Sequence, residues 1–392
     1  MKLSELIKGV DVKEKISFSD KEIKDVITDS KAVTRGSLFV CLKGENFDGH
    51  NFIRQAESYG AAAVVTEKRV DTTITQIVTE NARKAVGVIA SNFYGNPAKK
   101  MRFIGVTGTN GKTTTAHLIT SILVKSGVKC GLLGTLGVFY GGKFSESALT
   151  TPDPLEFHRI LADMCKESVE AVVMEVSAHA AALRKLYGVP FEIAVFTNLT
   201  QDHLDFFGDM ENYKNAKLGF LKENAEKYVV ANADDSACGE ILSLKGVKTV
   251  TYGVENPSDV FAIDLKEIPS STEFIMNLFD RIYEVKLNLI GRFNVYNALA
   301  AATAAALYGV NTDDVAEGLE LVKGIDGRLQ CVYDGKFGVY LDYAHTPDGL
   351  KKALAAMRPH TRRKLICVFG CGGNRDKEKR PVMGRISGET AD

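Results

Sequence analysis

Ile104-Gly-Val-Thr-Gly-Thr-Asn-Gly-Lys-Thr-Thr-Thr115 reads as an apolar strand that runs into a glycine-rich turn and then into a helix opening with Lys-Thr. Gly108 and Gly111 let the backbone turn tightly and approach phosphate oxygens with no Cβ in the way. The amides of the helix N-terminus add donors and positive dipole. Lys112 is placed to reach the β- and γ-phosphates of a nucleoside triphosphate, and Thr113 to ligate Mg²⁺. The strict spacing Gly-x-x-x-x-Gly-Lys-Thr would put its first glycine at Val106, whereas the chain has it one residue early, at Gly105. The flanks supply the context. Phe103, Ile104 and Val106 make a buried strand, Ala116, Ile119, Ile122 and Leu123 follow at helical spacing, and Gly127 closes the helix.

With 392 residues the chain is too long for one compact core, so two or three domains are expected. Lys plus Arg and Asp plus Glu both number 49, so no global field draws nucleic acid or an anionic membrane. An anionic substrate must then be held by local donors, and no nucleic-acid partner is expected. The seven cysteines are odd in number, scattered and without paired metal spacing, and read as reduced core thiols. The N-terminus has no apolar run long enough for a signal peptide, and the alanine-rich stretch 298–310 is too short to span a bilayer. A soluble, cytoplasmic protein is expected, with no membrane insertion.

Residues 1–98 mix short β-type runs (37–42, 61–65) with helical stretches such as 52–59, and Asn96-Pro97 marks a boundary. From Met101 onward, apolar runs at 103–106, 171–176, 193–197 and 228–231 alternate with amphipathic stretches. That pattern predicts a central domain over 99–325, built on a doubly wound, mostly parallel sheet of the α/β class. Segments 273–279 and 283–289 flank Asp280-Arg281 like an antiparallel hairpin added at the sheet edge. Residues 294–307 predict a tightly packed helix, and Gly324-Ile-Asp-Gly327 resembles a hinge. A third βα region over 326–392 begins with strands at 338–341 and 364–369, and its two strands and two helices predict an incomplete last domain.

In doubly wound folds ligands gather at the carboxyl ends of strands. The run 171–174 ends in Glu175, a carboxylate where a phosphate-loop protein needs a Mg²⁺ ligand or an orienting acid. The next run continues into Thr197-Asn-Leu-Thr-Gln-Asp-His203-Leu-Asp205, where His203 between two acids is a candidate metal ligand. The run 338–341 ends in Asp342-Tyr-Ala-His345-Thr-Pro-Asp348; the acid suits a ribose hydroxyl. Lys217, on a predicted helix, reads by itself as a solvated charge. Gly370-Cys-Gly-Gly-Asn-Arg375-Asp-Lys-Glu-Lys-Arg380 is a glycine-rich turn with charge of both signs, fit for an anion or a zwitterion.

These stretches, in this order, resemble the Mur ligases, and within them the branch that joins the third residue to UDP-N-acetylmuramoyl-L-alanyl-D-glutamate. The likeness runs from Thr28-Asp-Ser-Lys and Asp48-Gly-His50 through the phosphate loop, Thr150-Thr-Pro-Asp153, Met174-Glu-Val-Ser177, the His203 cluster and Asn294-Val-Tyr-Asn297. It ends in Asp342-Tyr-Ala-His-Thr-Pro347 and Gly370-Cys-Gly-Gly-Asn-Arg-Asp376. The resemblance implies three domains: a UDP-sugar-binding α/β N-terminal domain over 1–98, the ATP-binding domain, and an incomplete Rossmann-like amino-acid-binding domain. It implies ATP and Mg²⁺, an acyl phosphate on the D-glutamyl side chain, and attack on it by a free amino acid, in a cytoplasmic monomer.

Carried over residue by residue, the resemblance has Gly108, Thr109, Asn110, Gly111, Lys112 and Thr113 cradle the phosphates. Arg328 would contact the γ-phosphate, Asn294 the adenine side and Asp342 the ribose. Thr113, Glu175 and His203 would hold metal together with Lys217, whose family counterpart is carbamylated. Ser30 would lie in the uridine pocket, Thr150, Thr151, Ser177 and Lys185 near the muramoyl-dipeptide, and Arg375 on a carboxylate of the incoming amino acid. The chain departs from the family pattern at Ala178, where Ser is usual, at Lys185, where Arg is expected, and at Gln330, where Glu is common. The motif selecting meso-diaminopimelate over lysine would lie beyond Asp392; meso-diaminopimelate is the expected choice. A folylpolyglutamate synthetase-like ligase and a non-ligase ATPase are the competing readings.

Overall fold

The computed structural model describes every residue except 45, 46, 374 and 375. The chain divides into two compact units, one of residues 1–101, 152–168 and 182–189, the other of 102–151, 169–181 and 190–392.

The first unit carries a five-stranded sheet in the order β1-β5-β4-β3-β2, from β1 (Val12–Ile16), β2 (Asp25–Ile27), β3 (Ser37–Val40), β4 (Ala63–Thr66) and β5 (Thr75–Thr79). β2 through β5 pair in parallel, and β1 closes one edge antiparallel. β3, β4 and β5 are buried on both faces, which explains their unbroken apolar or Thr-rich runs. One face packs Leu38, Val65 and Ile77 against Val86 and Ile89 of the helix Ala82–Phe93. Asn81 caps that helix by accepting from Lys84 N at 3.0 Å.

The second unit is built on an eleven-stranded sheet in the order β16-β15-β14-β13-β12-β11-β6-β10-β7-β8-β9. Its strands are β6 (Arg102–Thr107), β7 (Cys130–Gly134), β8 (Gly137–Tyr140), β9 (Lys143–Ser145), β10 (Ala171–Glu175), β11 (Phe191–Phe196), β12 (Ala225–Asn232), β13 (Lys248–Gly253), β14 (Val260–Ile268), β15 (Ser271–Leu278) and β16 (Arg281–Leu287). From β14 to β7 the pairing is parallel, and both edges finish in antiparallel hairpins. The four apolar runs read from the sequence are thus central strands, and the 273–289 hairpin is the sheet edge. The helix Arg292–Tyr308 is alanine-rich and buried along most of its length, so it approaches the sheet and the helix Lys112–Lys125 closely and joins one large core.

Gly105, the early glycine of the loop motif, belongs to this packing and not to the phosphate turn. It sits inside β6, where a Cβ would come within 2.8 Å of the rings of Phe191 and Phe220. Gly108 and Gly111 carry the turn, at φ +143° and +87°.

Residues 326–392 add a two-stranded antiparallel sheet of β17 (Gln330–Asp334) and β18 (Gly338–Leu341), with two helices, Pro347–Met357 and Lys379–Thr390. Leu350 and Leu354 of the first helix pack on Met383 of the second. The strand expected at 364–369 is not formed. The segment alternates as a strand would, with Leu365 and Cys367 turned to the apolar cluster, but among the described residues no strand pairs with it, its backbone being met only at Leu365 by Asp392, and Ile366 and Val368 are 76% and 94% exposed. No helix among the described residues is long and apolar enough to cross a membrane.

Gly105→Ala is expected to destabilise the fold by about 1–3 kcal/mol, the usual range for overpacking a filled core. Urea denaturation reads it, and an unchanged midpoint would show that the two phenylalanine rings yield freely.

Candidate functional site

Sheet order assembles the site. β6 is hydrogen-bonded on one side to β10 and on the other to β11, all parallel, with Glu175 level with Val106 and Phe196 level with Thr107. The three strands therefore release their polar termini at one edge, over a cavity of about 920 Å³.

The segment after β11 clamps the phosphate loop. Thr109 N donates to Asn198 O at 2.8 Å, Asn110 N to Asn198 Oδ1 at 2.9 Å, and Thr197 Oγ1 to Asn110 O at 2.6 Å. At Gly108 any Cβ would strike Thr197 Oγ1, and at Gly111 it would strike Asn297 Oδ1, so both positions need glycine for space as well as for φ. Lys112, the first helical residue, folds back to donate to Gly108 O at 3.0 Å and Thr109 O at 2.7 Å. Burial pushes its pKa down, with Glu175 and Asp202 partly offsetting the shift.

Glu175 is held by three hydrogen bonds. It accepts from Thr113 Oγ1 at 3.0 Å and from Thr135 N and Oγ1 at 2.8 and 3.1 Å. Arg328 Nη2 donates to the same Thr113 hydroxyl at 2.8 Å, and its guanidinium lies 4.9 Å over the Tyr343 ring. His203 has φ +55°, a left-handed conformation uncommon for a side-chain-bearing residue, and starts the short turn Leu204–Phe207. Burial lowers its pKa to about 4 against the pull of Asp202, leaving a neutral imidazole at neutral pH. Among the described residues no three His, Cys, Asp or Glu side chains converge into a ready-made metal cage. Thr113 and Glu175, joined at 3.0 Å, offer the hydroxyl and carboxylate oxygens that suit Mg²⁺, which completes its shell with water and phosphate oxygens, and His203 lines the same cavity.

Lys217 is not the solvated charge that a helix lysine suggests. It is 1% exposed, donates to Gly108 O at 2.7 Å and lies 4.4 Å over the Tyr213 ring, one turn earlier on its helix Met210–Asn224. Burial first, and the Lys112 charge second, depress its pKa well below that of free lysine. A neutral amine in this position is the form that can take up carbon dioxide.

The remaining sequence candidates fall in several places. Asp342 follows β18, lines the cavity and accepts from Leu329 N and Ala344 N, both at 2.8 Å; burial raises its pKa. Thr150, Thr135 and Ser177 line the cavity, and Thr151 Oγ1 behind them donates to Glu175 O at 2.9 Å. Asn294 is buried, giving its amide to Ile290 O at 2.8 Å and accepting from Asn297 Nδ2 at 2.9 Å; Asn297 faces the loop. Gln330 donates to Asp326 Oδ1 at 2.9 Å, a bond a glutamate would forfeit.

In the first unit, Ser30 donates to Gln55 Oε1 at 3.2 Å. Lys185 is paired with Asp153 at 2.8 Å beside a small cleft shared with Thr28 and Arg83. Asp48 holds His50 Nδ1 at 2.6 Å, while His50 Nε2 accepts from Glu67 N at 3.1 Å, which fixes the tautomer. Arg375 lies outside the described residues.

Three family models cover most of the chain: the Mur ligase family catalytic domain over 22–94, the Mur ligase middle domain over 106–305 and the Mur ligase glutamate ligase domain over 327–392. The chain belongs to the Mur ligase family. Its similarity to individual family members extends over the full length. It is 42% identical to the UDP-N-acetylmuramoyl-L-alanyl-D-glutamate–2,6-diaminopimelate ligase of Syntrophomonas wolfei, over 100% of this chain and 81% of that protein. The ligase of the same name from Bacillus licheniformis is 41% identical over 95% of this chain and 78% of its own length. A solved structure of a UDP-N-acetylmuramoyl-L-alanyl-D-glutamate–2,6-diaminopimelate ligase superposes with a TM-score of 0.79 at 29% identity, over 96% of this chain and 79% of the other. The expected Mur ligase fold, α/β with a large, mainly parallel central sheet, is therefore the one observed.

Sequence reasoning passed over Thr135, Asn297 and the loop-clamping role of Thr197 and Asn198. The first sits at the end of a strand whose place next to β10 emerges only from the sheet order.

Because the folded Lys217 has a depressed pKa, the unfolded chain binds a proton that the native state resists. Native stability relative to a Lys217→Met variant is thus expected to rise with pH up to about 10.5, the unfolded value. Near pH 7 the variant should melt no lower than the parent; a melting point several degrees lower would show that the bond to Gly108 outweighs the burial penalty.

Proposed function

We propose that this chain is an ATP-dependent amide ligase that adds 2,6-diaminopimelate, in its meso form, to the D-glutamyl side-chain carboxylate of UDP-N-acetylmuramoyl-L-alanyl-D-glutamate, a step of peptidoglycan precursor synthesis. The observation that carries the reading is the likeness, at about 40% identity over the whole chain, to proteins bearing that ligase name.

The chemistry suits the site. A carboxylate is a poor electrophile until one oxygen becomes a phosphate leaving group, and the phosphoryl step needs positive charge around the γ-phosphate more than it needs a base. In this reading Gly108 to Thr113 cradle the phosphates with backbone amides. Lys112, released from its two carbonyls, turns to the β- and γ-oxygens. Arg328, already on Thr113, adds charge from the other wall. Mg²⁺, held by Thr113, Glu175 and His203 with carbamylated Lys217, would neutralise phosphate charge. Thr135 fixes the Glu175 carboxylate and meets Thr150 at 3.1 Å, so the metal-facing acid and the acceptor-facing loop share one hydroxyl.

Asn294 and Asn297 would border the adenine and Asp342 the ribose. Thr150, Thr151, Ser177 and Lys185 would meet the muramoyl-dipeptide, Ser30 the uridine, and Arg375 the incoming amino acid. The proposed domain limits are 1–98, 99–325 and 326–392, a reading supported by the order of the three matched segments, while 152–168 and 182–189 cluster with the first compact unit. Substrates this strongly charged are water-borne, which supports a cytoplasmic enzyme, and a monomer is the form proposed.

Phosphate release is expected only when acceptor and diaminopimelate are both present, and Lys112→Ala should abolish it. Lys217→Ala should lose most activity and regain part of it with added formate or acetate. Rapid hydrolysis of ATP alone would replace the ligase reading with a nucleotide switch. Failure to bind the UDP-muramoyl-dipeptide by calorimetry, with ATP still bound, would favour a folylpolyglutamate-type acceptor.

A further inference from the structure

Lys379 opens the helix Lys379–Thr390, and Met383, one turn on, is fully buried against Leu350 and Leu354. The i, i+4 relation puts both side chains on one face, so anchoring Met383 carries Lys379 inward. Lys379 is 5% exposed and lines the large cavity. Its ammonium donates no hydrogen bond among the described residues. The nearest carboxylate oxygen is Asp202 Oδ1, at 3.9 Å, too long for a hydrogen bond.

Asp202 is already engaged. Its Oδ1 accepts from His203 N at 2.9 Å, and its Oδ2 faces His203 Nε2 at 3.2 Å and His345 Nε2 at 3.5 Å. It also acts electrostatically on Lys112 and Lys217. One carboxylate thus faces two imidazoles and bears on three lysines. The other nearby acid, Asp376, accepts from Glu378 N at its Oδ1 at 2.9 Å, and no ion pair joins it to Lys379 among the described residues. The stem is buried while the ammonium opens into the cavity with no acceptor at hydrogen-bond distance among the described residues, so it is placed to meet an anion that arrives there.

We propose that Lys379 is a catalytic residue that contacts the terminal phosphoryl group, first as the γ-phosphate of ATP and then on the acyl phosphate. The inference rests on the ligase reading of the site. It assigns the 326–392 segment a charge of its own in the phosphoryl step, beside Arg328, and gives the charge run after Gly373 a task beyond amino-acid binding. A structural counter-ion to Asp202 would sit at hydrogen-bond distance; Lys379 stands off from it and borders the space in which Lys112 acts.

The test compares calorimetric affinities of the whole chain for ADP and for the β,γ-imido analogue of ATP, both with Mg²⁺. For Lys379→Met the analogue is expected to bind about tenfold more weakly, the scale of one lost charge-assisted hydrogen bond, with ADP within twofold of the parent. Lys379→Arg should recover part of the loss. Unchanged affinity for both nucleotides overturns the inference, as does an equal loss for both, which would mark a structural role. Should Lys379→Met not fold, Lys379→Gln is read by the same ratio. Failure of the ligase reading shows separately, as absence of UDP-muramoyl-dipeptide binding by the parent chain.

Discussion

Parallel pairing of β6 with a strand on each side is the constraint on which everything else depends. It sets Glu175 level with the start of the phosphate turn and brings the Thr197–Asn198 segment against that turn from the other side. Neither neighbour is adjacent to β6 in sequence. The loop's shape is therefore enforced by hydrogen bonds from a distant strand end, and its two glycines are required by side chains, Thr197 and Asn297, that come from elsewhere in the fold.

Around that frame basic side chains gather on the phosphate loop. Lys112 and Lys217 both point at the carbonyl of Gly108, Arg328 reaches Thr113, and both lysines have depressed pKa values because burial opposes their protonation. Asp202, although burial favours its neutral form, has its pKa lowered by the His345, His203 and Lys379 side chains that face it. Donors fixed around the loop in this way are the electrostatic preorganisation expected where a phosphoryl group is transferred.

Much of this was legible in the sequence because its signals are local. The phosphate turn, the acid ending β10 and the polar cluster after β11 are each a short apolar run followed by chemistry, and they stand where the strand ends predicted. The parts that were not legible depend on which surfaces meet. Lys217 lies one helical turn from Tyr213 on a face that only the loop's position buries. Asn294 and Asn297 are three residues apart on one helix, and helical phase alone decides which of them looks into the cavity. Segment 364–369 alternates like a strand, but alternation cannot provide the neighbour that would make it one.

Two hydrogen bonds also link the phosphate loop mechanically to residues 326–392. Asn110 Nδ2 donates to Asp348 Oδ2 at 2.9 Å, and Arg328 donates to Thr113. Asn110 is the tip of the loop and Thr113 the first turn of its helix, so both ends of the cradle are tied to the same later segment. By reciprocity of linked equilibria, whatever effect those ties have on the affinity of the cradle is returned, with the same free energy, as the effect of a filled cradle on the later segment. The loop is thus a sensor as well as a grip.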